Sequence, residues 1–170
     1  MYAIVELQMR RERGTTVTNA PQTDLDPLDR IDRSIDIDAP AERVWELVSR
    51  PGWWINEGEV DPEPDLVVTG DRAVLRHPAY GEFRLQVLAS RPPSYVSYRW
   101  VNPDAEAGTL VEFWIEPREG GVTLRVAESG FSGLGKAREE WLAHREGNVE
   151  GWTSELAAAR TWAERPGDAA

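Results

Sequence analysis

Few side chains in this chain are of types that carry out chemistry on their own. Only two histidines occur, His77 and His144, too few and too far apart for the three or four protein ligands of a zinc site. No cysteine is present among 170 residues, which removes thiol catalysis, thiolate-bound metals and disulfides and leaves a reducing, cytoplasmic compartment as the expectation. His77 stands at the end of a strand pattern before Pro78; it is an acid–base group if it faces an interior and a solvated turn residue if it does not. Tyr98 lies on the apolar parity of its strand, where a buried hydroxyl needs a partner and can orient a ligand or bond to the backbone. Ser129-Gly130-Phe131 lacks the strand, turn and immediate helix of a nucleophile elbow. The stretch Gly130 to Gly135 has neither the Lys-Ser/Thr ending of a P-loop nor a dinucleotide fingerprint. Glu57, Glu59, Asp61, Glu63 and Asp65 read as a solvated acidic loop. No metal and no cofactor is therefore expected.

What the chain does have is aromatic surface: eight Trp against three Phe, four Tyr and two Met. Rigid rings of this kind suit either a core or a flat ligand. The net charge of −11 argues against nucleic acid, which needs a basic stripe, and against anionic membrane surfaces. No apolar run reaches the roughly 20 residues of a membrane span.

These residues need elements to position them. Residues 1–29 lack a sustained period and read as a poorly ordered leader, with translation starting later, at Met9 or Val17, as one hypothesis. Ile31, Ile35 and Ile37 share a parity against Asp32, Ser34, Asp36 and Asp38, which predicts a half-buried strand. Pro40 and Glu42 suit a helix start, Val44, Leu47 and Val48 form its stripe beside Trp45, and Pro51-Gly52 ends it. From Leu66 to Ser129 the pattern is strand after strand with turn signals between, an antiparallel meander. Phe83, Leu85 and Val87 share a face, as do Val96, Tyr98 and Trp100, then Val111, Phe113 and Ile115, then Val122, Leu124 and Val126. Val149, Trp152, Leu156, Ala159 and Ala163 recur at helical steps, with Gly147 and Gly151 as places for a kink, a break or a close approach. The fold class is α+β, a domain over residues 30–165 and a tail over 166–170.

The run Ile35-Asp-Ile-Asp-Ala-Pro-Ala-Glu-Arg-Val-Trp-Glu-Leu-Val resembles the opening of helix-grip (START-like) proteins of the SRPBCC superfamily. Pro93 to Trp100, Gly108-Thr-Leu-Val-Glu-Phe, Gly121-Val-Thr-Leu-Arg-Val, Glu128-Ser-Gly-Phe and Gly151-Trp152 narrow it: in order and spacing they resemble the activator of heat-shock protein 90 ATPase homologue family. The resemblance covers Ile31 to Glu164. It departs in the early hairpin, where Gly70-Asp-Arg-Ala and then Tyr80-Gly81-Glu-Phe83 stand in place of a Gly-Gly-x-Phe segment. It implies a curved antiparallel sheet of six to seven strands around a long C-terminal helix, with an internal cavity that in the superfamily takes lipids, sterols or polyketides.

On that basis Tyr98, Trp100, Phe113, Ile115, Leu124 and Val126 are expected on the sheet side of a cavity, and Trp152 and Leu156 on its helix side. Trp53-Trp54 falls where the superfamily places the segment over the cavity mouth. The pair is either a lid that stacks on the ligand, or one ring plugs the core beside Trp45 while the other lies half exposed. Three functions follow as expectations. The first is a binding protein for a small apolar or aromatic ligand. The second is a cyclase- or dehydratase-like enzyme with His77 and Tyr98 as acid–base candidates. The third is a chaperone-associated or homodimeric partner acting through Trp114, whose parity sets it on the outer face.

Overall fold

The computed structural model describes residues 26–102 and 108–166. The calls on residues 1–25, including the alternative starts at Met9 and Val17, and on 167–170 lie outside the described residues. Within the stretch read as leader, Pro27–Asp29 forms one 3-10 turn. It is tied down by Asp29, whose carboxylate accepts the backbone N–H and the hydroxyl of Ser132 at 2.8 and 2.7 Å.

The chain then runs β1 (Arg30–Ile37), α1 (Ala41–Val48), β2 (Asp65–Thr69), β3 (Arg72–His77), β4 (Gly81–Arg91), β5 (Tyr95–Trp100), β6 (Leu110–Arg118), β7 (Gly121–Ser129), a 3-10 turn at Phe131–Leu134, and α2 (Arg138–Glu164). All seven strands form one antiparallel sheet in the order β1-β7-β6-β5-β4-β3-β2. Each hairpin joins neighbours, and β1 closes the sheet beside the last strand. One face of this curved sheet carries the apolar parity read from the strands and packs against α2, a helix-grip fold.

Local chemistry explains the frame. α1 starts after Pro40, which sits at the N-cap with extended backbone, and stops after Val48. Gly121 opens β7 where a Cβ would lie 2.1 Å from the Ile37 carbonyl oxygen, so no larger residue lets β1 approach this closely. A register shift between Val87 and Ala89 leaves Leu88 exposed and Val87 only half-buried, so the expected face of β4 holds fully for Phe83 and Leu85 alone. α2 begins with Glu139 and Glu140 in its first turn, and Glu140 accepts the Ala137 N–H at 3.2 Å. It then runs unbroken through Gly147 and Gly151 to Glu164. The break those glycines allowed does not occur, because packing of a long buried stripe outweighs about 1 kcal/mol for each glycine.

Candidate functional site

The centre of the grip is a cluster of rings. Trp54 is fully buried and meets Trp53, Tyr98, Trp100, Phe113 and Trp152 at centroid distances of 5.5 to 6.1 Å. Those are the separations of offset and edge-to-face aromatic contact. Ile115, Leu124, Val126 and Leu156 are buried in the same core. The structure thus brings together the residues expected on the two sides of the cavity. It differs at the mouth: Trp53 is buried as well as Trp54, so neither ring is half exposed. The cause is the turn that follows α1. Gly52 takes a left-handed φ of +77°, with Leu75, Ile55 and Leu85 packed 3.1 to 3.3 Å from where a Cβ would be. That tight turn sends Trp53, Trp54 and Ile55 inward together.

Polar groups within this apolar frame divide into satisfied and unsatisfied. Tyr98 is satisfied: its hydroxyl donates to the Val48 carbonyl at 2.7 Å, one of the last-turn carbonyls of α1 that lack an intrahelical partner. Burial pushes its phenol well above the ordinary tyrosine range. Tyr98 therefore ties α1 to the sheet.

Glu128 is fully buried and accepts from Thr109 Oγ1 at 2.6 Å, Trp152 Nε1 at 2.7 Å and Asn148 Nδ2 at 3.0 Å. Burial raises its carboxyl above the usual range, and the three donors act against that rise. Glu155, on α2 with Asn148 and Trp152, is fully buried too. It receives one donor, Asn56 Nδ2 at 2.6 Å. Burial lifts it to about 7, opposed by that hydrogen bond.

The indole N–H groups of Trp53, Trp54 and Trp100, Asn148 Oδ1 and Glu155 Oε1 are buried with no hydrogen-bond partner among the described residues. Native interiors leave few such groups. Here five belong to one ring cluster or to the helix that faces it.

Sequence reasoning names none of Asn56, Glu128, Asn148 and Glu155 as a site residue, Glu128 entering only through the Glu128-Ser-Gly-Phe motif, although three of them are in phase with residues it does name. Glu128 continues the parity of Val122, Leu124 and Val126. Asn148 and Glu155 fall in the buried series Trp141, His144, Asn148, Trp152, Glu155, Ala159, which advances by threes and fours.

A half-open groove of about 400 Å³ flanks this region, lined by residues including Gly58, Val60, Ser154, Ala158, Thr161 and Trp162. One wall is the loop that carries Asn56, and the other is the face of α2 next to Glu155. The remaining candidates lie elsewhere. His77 ends β3 half-buried, stacked on Tyr80 at 4.5 Å, and its Nδ1 accepts the Ala79 N–H at 3.2 Å. Trp114 is on the outer face as its parity required, covered by the Arg125 and Arg30 guanidinium groups at 4.7 and 6.0 Å and by Tyr95 at 5.4 Å. Among the described residues no His, Asp and Glu cluster suits a metal ion, and no helix is long and apolar enough to cross a membrane.

A grip of seven strands on one long helix, enclosing rings and buried carboxyls, defines what to compare. The family model for activator of Hsp90 ATPase homolog 1-like proteins matches residues 38–159, most of the chain. The chain belongs to that family. Its fold is shared with solved structures. A Bacillus halodurans protein is 26% identical with a TM-score of 0.60, over 79% of this chain and 96% of its own. The Aha1 dimer from Colwellia psychrerythraea is 19% identical with a TM-score of 0.60, over 80% and 96%. A polyketide cyclase-like protein from Corynebacterium glutamicum is 22% identical with a TM-score of 0.53, over 77% and 88%. No curated protein matches the chain in sequence.

Proposed function

We propose that this family member is a binding protein for a small, largely apolar aromatic ligand, lipid- or polyketide-like in character, held against the ring cluster of the grip. One observation carries the reading: Trp53, Trp54 and Trp100 all present buried indole N–H groups without a partner among the described residues. A core selected for packing alone is better filled by Phe and Leu, because each unsatisfied buried donor costs about 1–3 kcal/mol. Three such donors in one cluster support a site whose acceptors come from a ligand, with the rings supplying the flat apolar walls. The groove beside the Asn56 loop supplies the approach.

An enzyme of the cyclase kind is a second reading, favoured by the two buried carboxyls Glu128 and Glu155 on the borders of the cluster. Glu155, which burial lifts to about 7, suits proton transfer near neutrality, and burial shifts Glu128 in the same direction. In that reading they replace Tyr98, whose hydroxyl is committed to Val48, and His77, which is stacked in a turn.

The test is native mass spectrometry of the full chain purified gently from its own or a related host, comparing folded and denatured ions. A discrete extra mass that leaves on denaturation is expected. An empty folded ion, together with no change of tryptophan fluorescence across a panel of aromatic ligands, would overturn the proposal.

A further inference from the structure

Glu155 stands between two environments. It follows Trp152 by three residues and precedes Ala158 by three, so at about 100° per residue it falls between the stripe that faces the rings and the face that lines the groove. Oε2 accepts Asn56 Nδ2 at 2.6 Å, and Oε1, equally shut off from solvent, meets no partner among the described residues. The Asn56 amide is itself fixed. Its Nδ2 also donates to the Trp53 carbonyl at 3.2 Å, and its Oδ1 accepts the Gly58 N–H at 2.8 Å, so a flipped amide loses all three bonds.

With Oε2 held as an acceptor, the proton of the neutral acid resides on Oε1 and makes that atom a donor. Burial lifts the carboxyl to about 7 and so keeps the proton in place below neutrality. The indole N–H groups are donors too. The unpaired polar atoms around the cluster are therefore four donors, Trp53, Trp54, Trp100 and Glu155, against one acceptor, Asn148 Oδ1. A charged ligand oxygen at Oε1 would be buried with no cation paired to it. Glu128 is the other buried carboxyl, Glu59 and Arg165 line the outer groove, and Arg50, with Nε and Nη2 also buried without a partner among the described residues, lies over the Trp162 ring at 5.5 Å; none of them pairs with Glu155.

We infer that the ligand is a neutral molecule bearing a carbonyl-type acceptor, and that Glu155 Oε1–H donates to that oxygen. The inference rests on the ligand reading above and adds the chemical class.

Fluorene and 9-fluorenone make a probe pair, since they share a ring frame and differ by one carbonyl oxygen. Binding to the full chain is read by quenching of tryptophan fluorescence. Fluorenone is expected to bind about tenfold more tightly than fluorene near pH 5.5, an advantage that fades toward pH 8.5 while fluorene affinity stays level. Glu155→Gln, a donor at every pH, keeps the advantage and loses its pH dependence. Glu155→Leu loses the advantage throughout; if that variant fails to fold, wild type against Glu155→Gln decides alone. Equal affinities for the two probes in the wild type overturn the inference and leave the ligand reading standing. Quenching by neither probe overturns the inference, and with an empty folded ion and a silent ligand panel it overturns the ligand reading as well.

Discussion

Glu155→Gln should change how stability depends on pH in a calculable way. An exposed glutamate in the unfolded chain releases its proton near 4.5, whereas burial holds the folded carboxyl at about 7 against the opposing bond from Asn56. Below pH 4.5 both states are protonated and the contribution of Glu155 is fully present. Between 4.5 and about 7 the unfolded state ionises while the folded state does not, so stability falls as pH rises; above about 7 the loss is complete. That interval, at about 1.4 kcal/mol per pH unit, corresponds to about 3 kcal/mol. His144, which burial pushes down to about 4, acts with the opposite sign, losing stability as pH falls from 6.5. Glu128 acts with the same sign as Glu155. Both persist in the variant and cancel in the difference. Urea unfolding followed by tryptophan fluorescence at about five pH values from about 4.5 to 8.5 should therefore show Glu155→Gln gaining about 3 kcal/mol on the wild type across the window. A wild-type-to-variant gap that stays constant over that range would refute the buried neutral carboxyl.

Tyr98→Phe removes the donor to the Val48 carbonyl at 2.7 Å and leaves that carbonyl unpaired in the core; it should cost about 1–3 kcal/mol in urea unfolding, and a variant as stable as the wild type would contradict the tie between α1 and the sheet. Gly121→Ala places a methyl 2.1 Å from the Ile37 oxygen, so the β1 edge must shift. A loss of about 1–3 kcal/mol with faster amide exchange along β1 is expected, and unchanged exchange would count against the close approach.

The frame was legible because period-2 alternation marks β1 and β4 to β7, because turn residues separate the strands of the meander, and because α2 carries a long buried series; β2, almost wholly exposed, has no such alternation. Residue type obscured the polar part of the site. Glu128 keeps the inward parity of β7 and Thr109 that of β6, yet a glutamate near the end of a strand is ordinarily solvated. Only three donors converging from Thr109, just before β6, and from α2 make its burial tolerable. Asn56 lies three residues after Trp53 in a loop with no period, so its bond to Glu155, 99 positions away, has no local signal. The burial of both Trp53 and Trp54 depends on the inward turn at Gly52, which dipeptide chemistry marks as a turn without giving its direction.

The most direct measurement on the central claim uses the indole N–H groups themselves. In a nitrogen-15 correlation spectrum of the full chain, each of the eight Trp contributes one side-chain resonance, assignable by single Trp→Phe changes. On addition of 9-fluorenone the account predicts shifts of the Trp53, Trp54 and Trp100 resonances, whose N–H groups have no partner among the described residues. Trp114, held on the outer face between Arg30 and Arg125, stays in place. Shifts confined to Trp114, or no shift of the three core indoles at saturating probe, would contradict a ligand site in the grip.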